Sequence, residues 1–197
     1  MAQVKGNCSL ADCPLQRPQA VPRLPDTIRR QLAEAYAAQS QSDFRMYQDV
    51  LQDTEECHRL HFLQMACEKT AKAYRLRDTE TFTEDDLYTH VVFSKFILYF
   101  LRTRSLKERY RGQDAKRRQM ERYARGLAVS IEKLAPAVDK DQTPENSEYP
   151  WISGRNIYAP VSHHYRLTDD LAKPAGRDFL RLIETAIEDF SSITLLG

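Results

Sequence analysis

The sequence predicts an all-α protein, an up-and-down bundle of about five helices with a long irregular loop before the last helix. Three observations point there. Apolar residues recur at three- and four-residue steps through most of the chain, the period of a helix with one buried face. Only six of the 197 residues are glycine, few for an all-β protein or one built on glycine-rich loops. Prolines concentrate in the first 25 residues and again from Pro136 to Pro174, leaving the segments between uninterrupted.

The elements follow in order. Residues 1–25, with Pro14, Pro18, Pro22 and Pro25 and little periodicity, read as an N-terminal arm. Pro25-Asp26 reads as a helix start with Asp26 as N-cap, and Ile28, Leu32, Ala35 and Tyr36 continue at helical spacing. The pattern weakens at Gln39–Ser42 and resumes through Phe44, Tyr47, Val50 and Leu51. A second helix runs from about Thr54 to Arg77, with Leu60, Leu63, Cys67, Thr70, Ala71 and Tyr74 on its apolar face. Thr83-Glu84-Asp85-Asp86 opens a third, with Thr83 a fitting N-cap and acids in the first turn. Its continuation, VVFSKFILYFL, is apolar nearly all round, as in a central helix or a self-association face.

A fourth helix is expected from about Ser105 to Ala135. Its seam runs Leu106, Tyr110, Gln113, Arg117, Met120, Ala124, Leu127, Ile131 and Leu134, with Gly112 and Gly126 as kink points. From Val138 to Ala172 the chain reads as loop, with a small hairpin around Ser153-Gly154 in the run from Trp151 to Tyr158. Trp151, Tyr149, Tyr158 and Tyr165 read as pins for this loop or as base-stacking rings. Pro174 suits the first turn of a last helix carrying Phe179, Leu182, Ile183, Ala186 and Ile187. The organisation is an arm (1–25), a helical bundle (26–137), and a loop with a C-terminal helix packing on the bundle (138–197).

Composition narrows the class. With 29 Lys+Arg against 28 Asp+Glu and a formal charge of +1, the chain is neither a polycation nor an acidic disordered tail. At this size folding buries about 70% of the chain's surface, enough for one core. No stretch reaches the roughly 18–20 apolar residues of a membrane span, and Met1–Leu10 lacks a signal-peptide pattern. We therefore expect a cytoplasmic protein with no membrane association. Cys8, Cys13, Cys57 and Cys67 lack CxxC spacing, and we expect neither a metal nor a cofactor.

Two constellations stand out. On the second helix, His58, His61, Gln64, Glu68 and Lys72 form a polar stripe about 120° wide. Such a set either handles protons or ligands near neutral pH or forms a polar seam with Glu68 and Lys72 paired at i,i+4. The second is a charge concentration. From Arg102 to Arg125 there are ten Lys/Arg and three Asp/Glu, a local +7, while the remaining 19 bases and 25 acids give −6. On an unbroken helix Lys107, Arg111, Arg118, Arg122 and Arg125 fall within about 60° of one another. A line of cations follows a phosphate backbone, and arginine suits bidentate phosphate contact; the same line also suits a solvated face or an acidic protein partner.

The string from His58 to Tyr74, with Gln64 and Glu68-Lys69-x-x-Lys72-Ala73, resembles the second-helix signature of the HEPN superfamily of small helical-bundle domains. Thr89-His90, opening the next apolar helix, supports it, and the resemblance covers roughly Asp26 to Ala135. The segment from Glu148-Tyr-Pro-Trp151 to Pro174-Ala-Gly-Arg177 is similar to an extension in a bacterial subgroup of uncharacterised members.

The resemblance implies binding of RNA or a nucleotide, a homodimer, and a prokaryotic toxin–antitoxin or phage-defence setting, with a nucleotidyltransferase or other protein as partner. Many HEPN proteins are metal-independent ribonucleases using Arg-x(4–6)-His. None of the five histidines here follows an arginine at that spacing, and Arg155 and His163 have seven residues between them. The ribonuclease motif is therefore not carried over, and catalytic residues stay unassigned; His58, His61 and His90 are the candidates for an irregular set. The alternative is a non-enzymatic protein–protein interaction module using the apolar third helix and the basic fourth.

Overall fold

A computed structural model describes residues 24–51, 53–78 and 85–195, and within these the chain is an all-α bundle with one small hairpin. The first helix, α1 (Asp26–Arg45), runs into a π-helical turn at Met46–Val50 and returns as α2 (Glu56–Asp78). The two helices approach closely through small residues. Ser40 Oγ lies 2.5 Å from Thr70 Oγ1 and bonds Ala66 O at 2.9 Å, so the buried hydroxyls are satisfied across the contact. At one end Lys69 Nζ meets Asp43 Oδ2 at 2.5 Å. At the other Arg29 Nη1 donates to Leu76 O (2.5 Å) and Arg77 O (3.2 Å), covering carbonyls that α2 leaves open at its C-terminus.

Asp26 is not the N-cap. Pro25 holds that position with no side-chain cap, and Asp26 sits inside the first turn, 3.1 Å from Arg29. The third predicted helix is two pieces, α3 (Asp85–Tyr88) and α4 (Phe93–Leu101), so Thr89-His90 joins them and does not open α4. Residues 1–23, with Cys8 and Cys13, and Thr83 lie outside the described residues.

The apolar helix is central. Phe93, Phe96, Ile97, Phe100 and Leu101 are all buried in the main core, while Val91 and Tyr99 of the same apolar run are exposed. Glu132 crosses from α6 (Asp114–Glu132) to accept the Ser94 N–H at 2.8 Å, capping α4 in place of a local side chain. Burial raises the Glu132 carboxyl above its ordinary range, against the relief given by the Ser94 and Phe93 donors.

The predicted fourth helix is also broken. α5 (Arg104–Arg109) ends in a turn at Tyr110–Gln113, and α6 follows. Gly112 supplies the left-handed backbone at φ 74°; Gly126 lies inside α6, which runs through it without a break. The loop then forms the expected hairpin, β1 (Trp151–Ser153) against β2 (Asn156–Tyr158), in the register Trp151↔Tyr158, Ile152↔Ile157. A 3₁₀ turn (Pro160–Ser162) and α7 (Arg166–Ala172) precede α8 (Pro174–Glu188), where Pro174 occupies the first turn as expected.

α7 falls within the stretch read as loop: only Leu167 and Leu171 mark it as a helix, and both are buried. Tyr165 pins the loop to the main core and donates its hydroxyl to Asn146 O at 2.9 Å, Trp151 and Tyr158 stack on each other across the hairpin, and Tyr149 stays exposed. Phe179, Leu182, Ile183, Ala186 and Ile187 of α8 join the same core as α2, α4 and α6.

Gly176 lets α8 approach the backbone of α7 closely; a Cβ there would overlap backbone atoms of Asp170 and Leu171. Gly126 faces open space. Gly176→Ala is expected to cost about 3 kcal/mol or more, and Gly126→Ala to add about 0.5–1 kcal/mol. Urea unfolding of both variants checks the pair.

Candidate nucleic-acid interface

The break at Tyr110–Gln113 changes the basic line read from the sequence. Lys107 lies on α5 and Arg111 in the turn, paired with Glu108. The five cations therefore do not share one helix. Arg118, Arg122 and Arg125 do, on consecutive turns of α6. All three are exposed, and none has an ion pair among the described residues. Arg117, the seam arginine, is held by Glu121 at 2.7 Å and Asp114 at 3.9 Å, so it serves the helix itself.

Beside this face, between α6, α7 and the start of α8, runs an open groove of about 720 Å³. Arg122, Lys133, Arg166 and Lys173 line it, against the carboxylates of Glu145 and Asp170. Asp170 is engaged by Lys173 at 2.6 Å and Arg166 at 3.8 Å, and Lys133 by Asp139 at 2.7 Å. Arg122 is the groove cation without a carboxylate among the described residues. Tyr123, half exposed, and Gly126 also line it. The arrangement places cations of α6 on one side of the groove and of the α7 region on the other.

The polar stripe of α2 divides in two. Gln64, Glu68 and Lys72 are buried and joined: Gln64 Nε2 donates to Glu68 Oε2 (2.9 Å) and Lys72 Nζ to Glu68 Oε1 (2.7 Å). Lys72 also donates to Leu87 O at 2.6 Å, and His90 Nδ1 lies 3.0 Å from Glu68 Oε2. Burial works to raise the Glu68 carboxyl, but Lys72 and His90 outweigh it and hold the group below its ordinary range. This is the polar-seam reading, with His90 added. His58 stands apart at 3.8 Å from Glu55, and His61 lies 3.5 Å from Glu148 in the late loop. The three candidate histidines thus face three different carboxylates and do not converge on one centre.

Two groupings were missed in the sequence. His163 sits edge-on to Trp151, Tyr158 and Tyr165, with centroids 4.9, 6.0 and 4.8 Å away, and its Nε2 lies 2.9 Å from Glu145 Oε2. His164 bridges two carboxylates, Nδ1 at 2.9 Å from Glu56 and Nε2 at 3.0 Å from Asp169. Glu56 also accepts the Tyr165 N–H (2.9 Å) and the Thr168 hydroxyl (3.1 Å), so a residue at the start of α2 caps α7. No local pattern signals a bond between residues 108 positions apart.

Among the described residues no three His, Cys, Asp or Glu side chains are grouped to hold a metal, and no helix is long and apolar enough to cross a membrane. The chain matches no protein-family model, no curated protein and no solved structure.

The His164 bridge gives α7 an expected pH dependence. Its bonds to Asp169 and Glu56 raise the imidazole above 6.5. For Glu56, desolvation acts upward, but its bonds to Tyr165, His164 and Thr168 hold it below 4.5. A raised base stabilises fully below its unfolded value and loses this as pH rises through the folded one; a lowered acid stabilises above its unfolded value and loses this as pH falls. The clamp is complete between about pH 4.5 and 6.5. Amide exchange in α7, corrected for intrinsic rates, should quicken as pH rises past His164's raised value, and His164→Gln should flatten that rise.

Proposed function

We propose that this protein binds RNA, laying the sugar–phosphate backbone along the exposed face of α6 and across the groove beside it. The observation that carries this is the row Arg118, Arg122 and Arg125, three exposed guanidinium groups on one face with no carboxylate partner among the described residues. Surface cations elsewhere are often paired: Lys173 and Arg166 with Asp170, Arg181 with Asp178, Lys133 with Asp139.

Arginine rows of this kind neutralise successive phosphates and release counterions. A rise of about 1.5 Å per residue sets Arg118 and Arg125 about 10 Å apart along the axis, a span matching a few nucleotides. Lys107 extends the basic surface on α5. The HEPN resemblance supports the same ligand, and adds the expectation of a homodimer in a prokaryotic toxin–antitoxin or phage-defence setting. The reading is one of binding; no cleavage step is assigned to His58, His61 or His90.

Fluorescence anisotropy with a single-stranded RNA across a salt series tests it. The triple variant Arg118→Glu, Arg122→Glu, Arg125→Glu should weaken binding about 100-fold or more and lower the slope of log K against log salt by about 2. Lys107→Glu with Arg111→Glu should do less, because Arg111 is already paired with Glu108. Affinity and slope unchanged in the triple variant would overturn the proposal.

A further inference from the structure

One carboxylate in the basic groove is not taken up by the groove's own cations. Glu145 lines the groove. Asp170, the other acid of the lining, is engaged by Lys173 and Arg166, and Lys133 is held by Asp139. Among the described residues the Glu145 carboxylate has a single partner, His163, whose Nε2 lies 2.9 Å from Oε2. Its Oε1 accepts no hydrogen bond from them.

The side chain is nonetheless fixed in place from two directions. Lys140 Nζ donates to Glu145 O and to Lys133 O, both at 2.6 Å, tying the loop after α6 to the end of that helix. His163 orients the carboxylate, and Trp151, Tyr158 and Tyr165 enclose the imidazole ring edge-on. An acceptor held this firmly, with one oxygen open to the groove, is organised before any ligand arrives.

A carboxylate accepts hydrogen bonds and cannot donate them. It repels phosphate, so along an RNA chain the group it meets is a base, and single-stranded bases are read on their Watson–Crick edges. Guanine places two donors side by side on that edge, N1–H and the 2-amino group. In adenine and cytosine the amino group adjoins an unprotonated ring nitrogen, and in uracil N3–H stands between two carbonyls; those lone pairs oppose a carboxylate. Each carboxylate oxygen has two acceptor sites, so Oε2 keeps one beyond His163. We propose that Glu145 selects guanine in the bound RNA, one oxygen taking N1–H and the other the 2-amino group, with His163 as its positioning residue. This rests on the RNA-binding reading above and adds a base preference to it.

The test is fluorescence anisotropy of the whole chain with a short oligouridine carrying guanosine, inosine, adenosine, cytidine or uridine at its centre. Guanosine should bind about tenfold tighter than adenosine, cytidine or uridine, and inosine, which lacks the 2-amino group, should lose most of that gain. Glu145→Gln should bring the five ligands to within about twofold of one another without weakening the oligouridine. His163→Phe, which suits the aromatic surroundings and loses the bond to Glu145, should narrow the guanosine preference while oligouridine affinity holds. The inosine comparison uses the unaltered protein, so it stands even if a variant does not fold. The triple α6 variant should weaken all five ligands alike and keep their ratios, which separates backbone binding from base reading. Failure of every RNA to bind would overturn both readings. Salt-dependent binding with no guanosine preference, inosine equal to guanosine, or a preference that survives Glu145→Gln would overturn this one alone.

Discussion

The structure turns on α2 being enclosed. Thirteen of its 23 residues are buried, among them Gln64, Glu68, Thr70 and Lys72. Its middle, packed among α1, α4, α6 and α8, buries polar side chains away from water, and these need partners within the bundle. Thr70 finds Ser40, and Glu68 takes Gln64, Lys72 and His90. Such a network adds little net stability over an apolar core, yet losing one member strands a buried charge at a cost of about 3–5 kcal/mol. Its consequence is positional. Lys72 reaches Leu87 O and Glu68 reaches His90, so the chain between α3 and α4 is held to α2 by charge. The resemblance to HEPN proteins rests on this same string, and here those residues serve the interior.

The enclosure also accounts for where charge remains outside. Arg29 is spent on carbonyls at the end of α2, Arg77 on Asp78 and on backbone carbonyls of Phe190 and Ile193, and Lys69 on Asp43. Arg77 is further held between the rings of Tyr74 and Phe190, at 4.7 and 4.4 Å. Basic residues of α1 and α2 are thus largely structural. Those of α6 point outward from a helix whose Met120, Ala124, Ala128 and Ile131 fill the core. A nearly neutral chain therefore presents a cationic face, because the ten Lys/Arg of residues 102–125 are gathered on one stretch and most of them are exposed.

What the sequence revealed follows from the range of the interactions concerned. Helix periods, the hairpin and the helix-starting Pro174 depend on neighbours within a few residues, and these were legible. The break between α5 and α6 was not: Leu106, Tyr110, Gln113 and Arg117 keep helical spacing across it, and only Gly112 reports the left-handed turn. That break separates Lys107 and Arg111 from the α6 row. The stripe of α2 was legible as a set, but not its division, since His90 and Glu148 come from segments 22 and 87 residues further on from Glu68 and His61.

α7 is the element that joins these parts. It has seven residues and would not persist alone. Glu56 caps it from α2, His164 and Asp169 tie its first turn, and Gly176 lets α8 close on its far end. One side, through Arg166, Leu167 and Asp170, forms a wall of the basic groove; the other, through Thr168, Leu171 and Ala172, forms a wall of a smaller recess that Leu60 of α2 and Leu180 of α8 also line. A partition one helix thick cannot shift toward one space without enlarging the other. Its position is set by a carboxylate on the enclosed helix and by an exposed histidine whose charge depends on pH. The constraint that buries α2 thus reaches the surface through Glu56 and fixes the shape of both recesses.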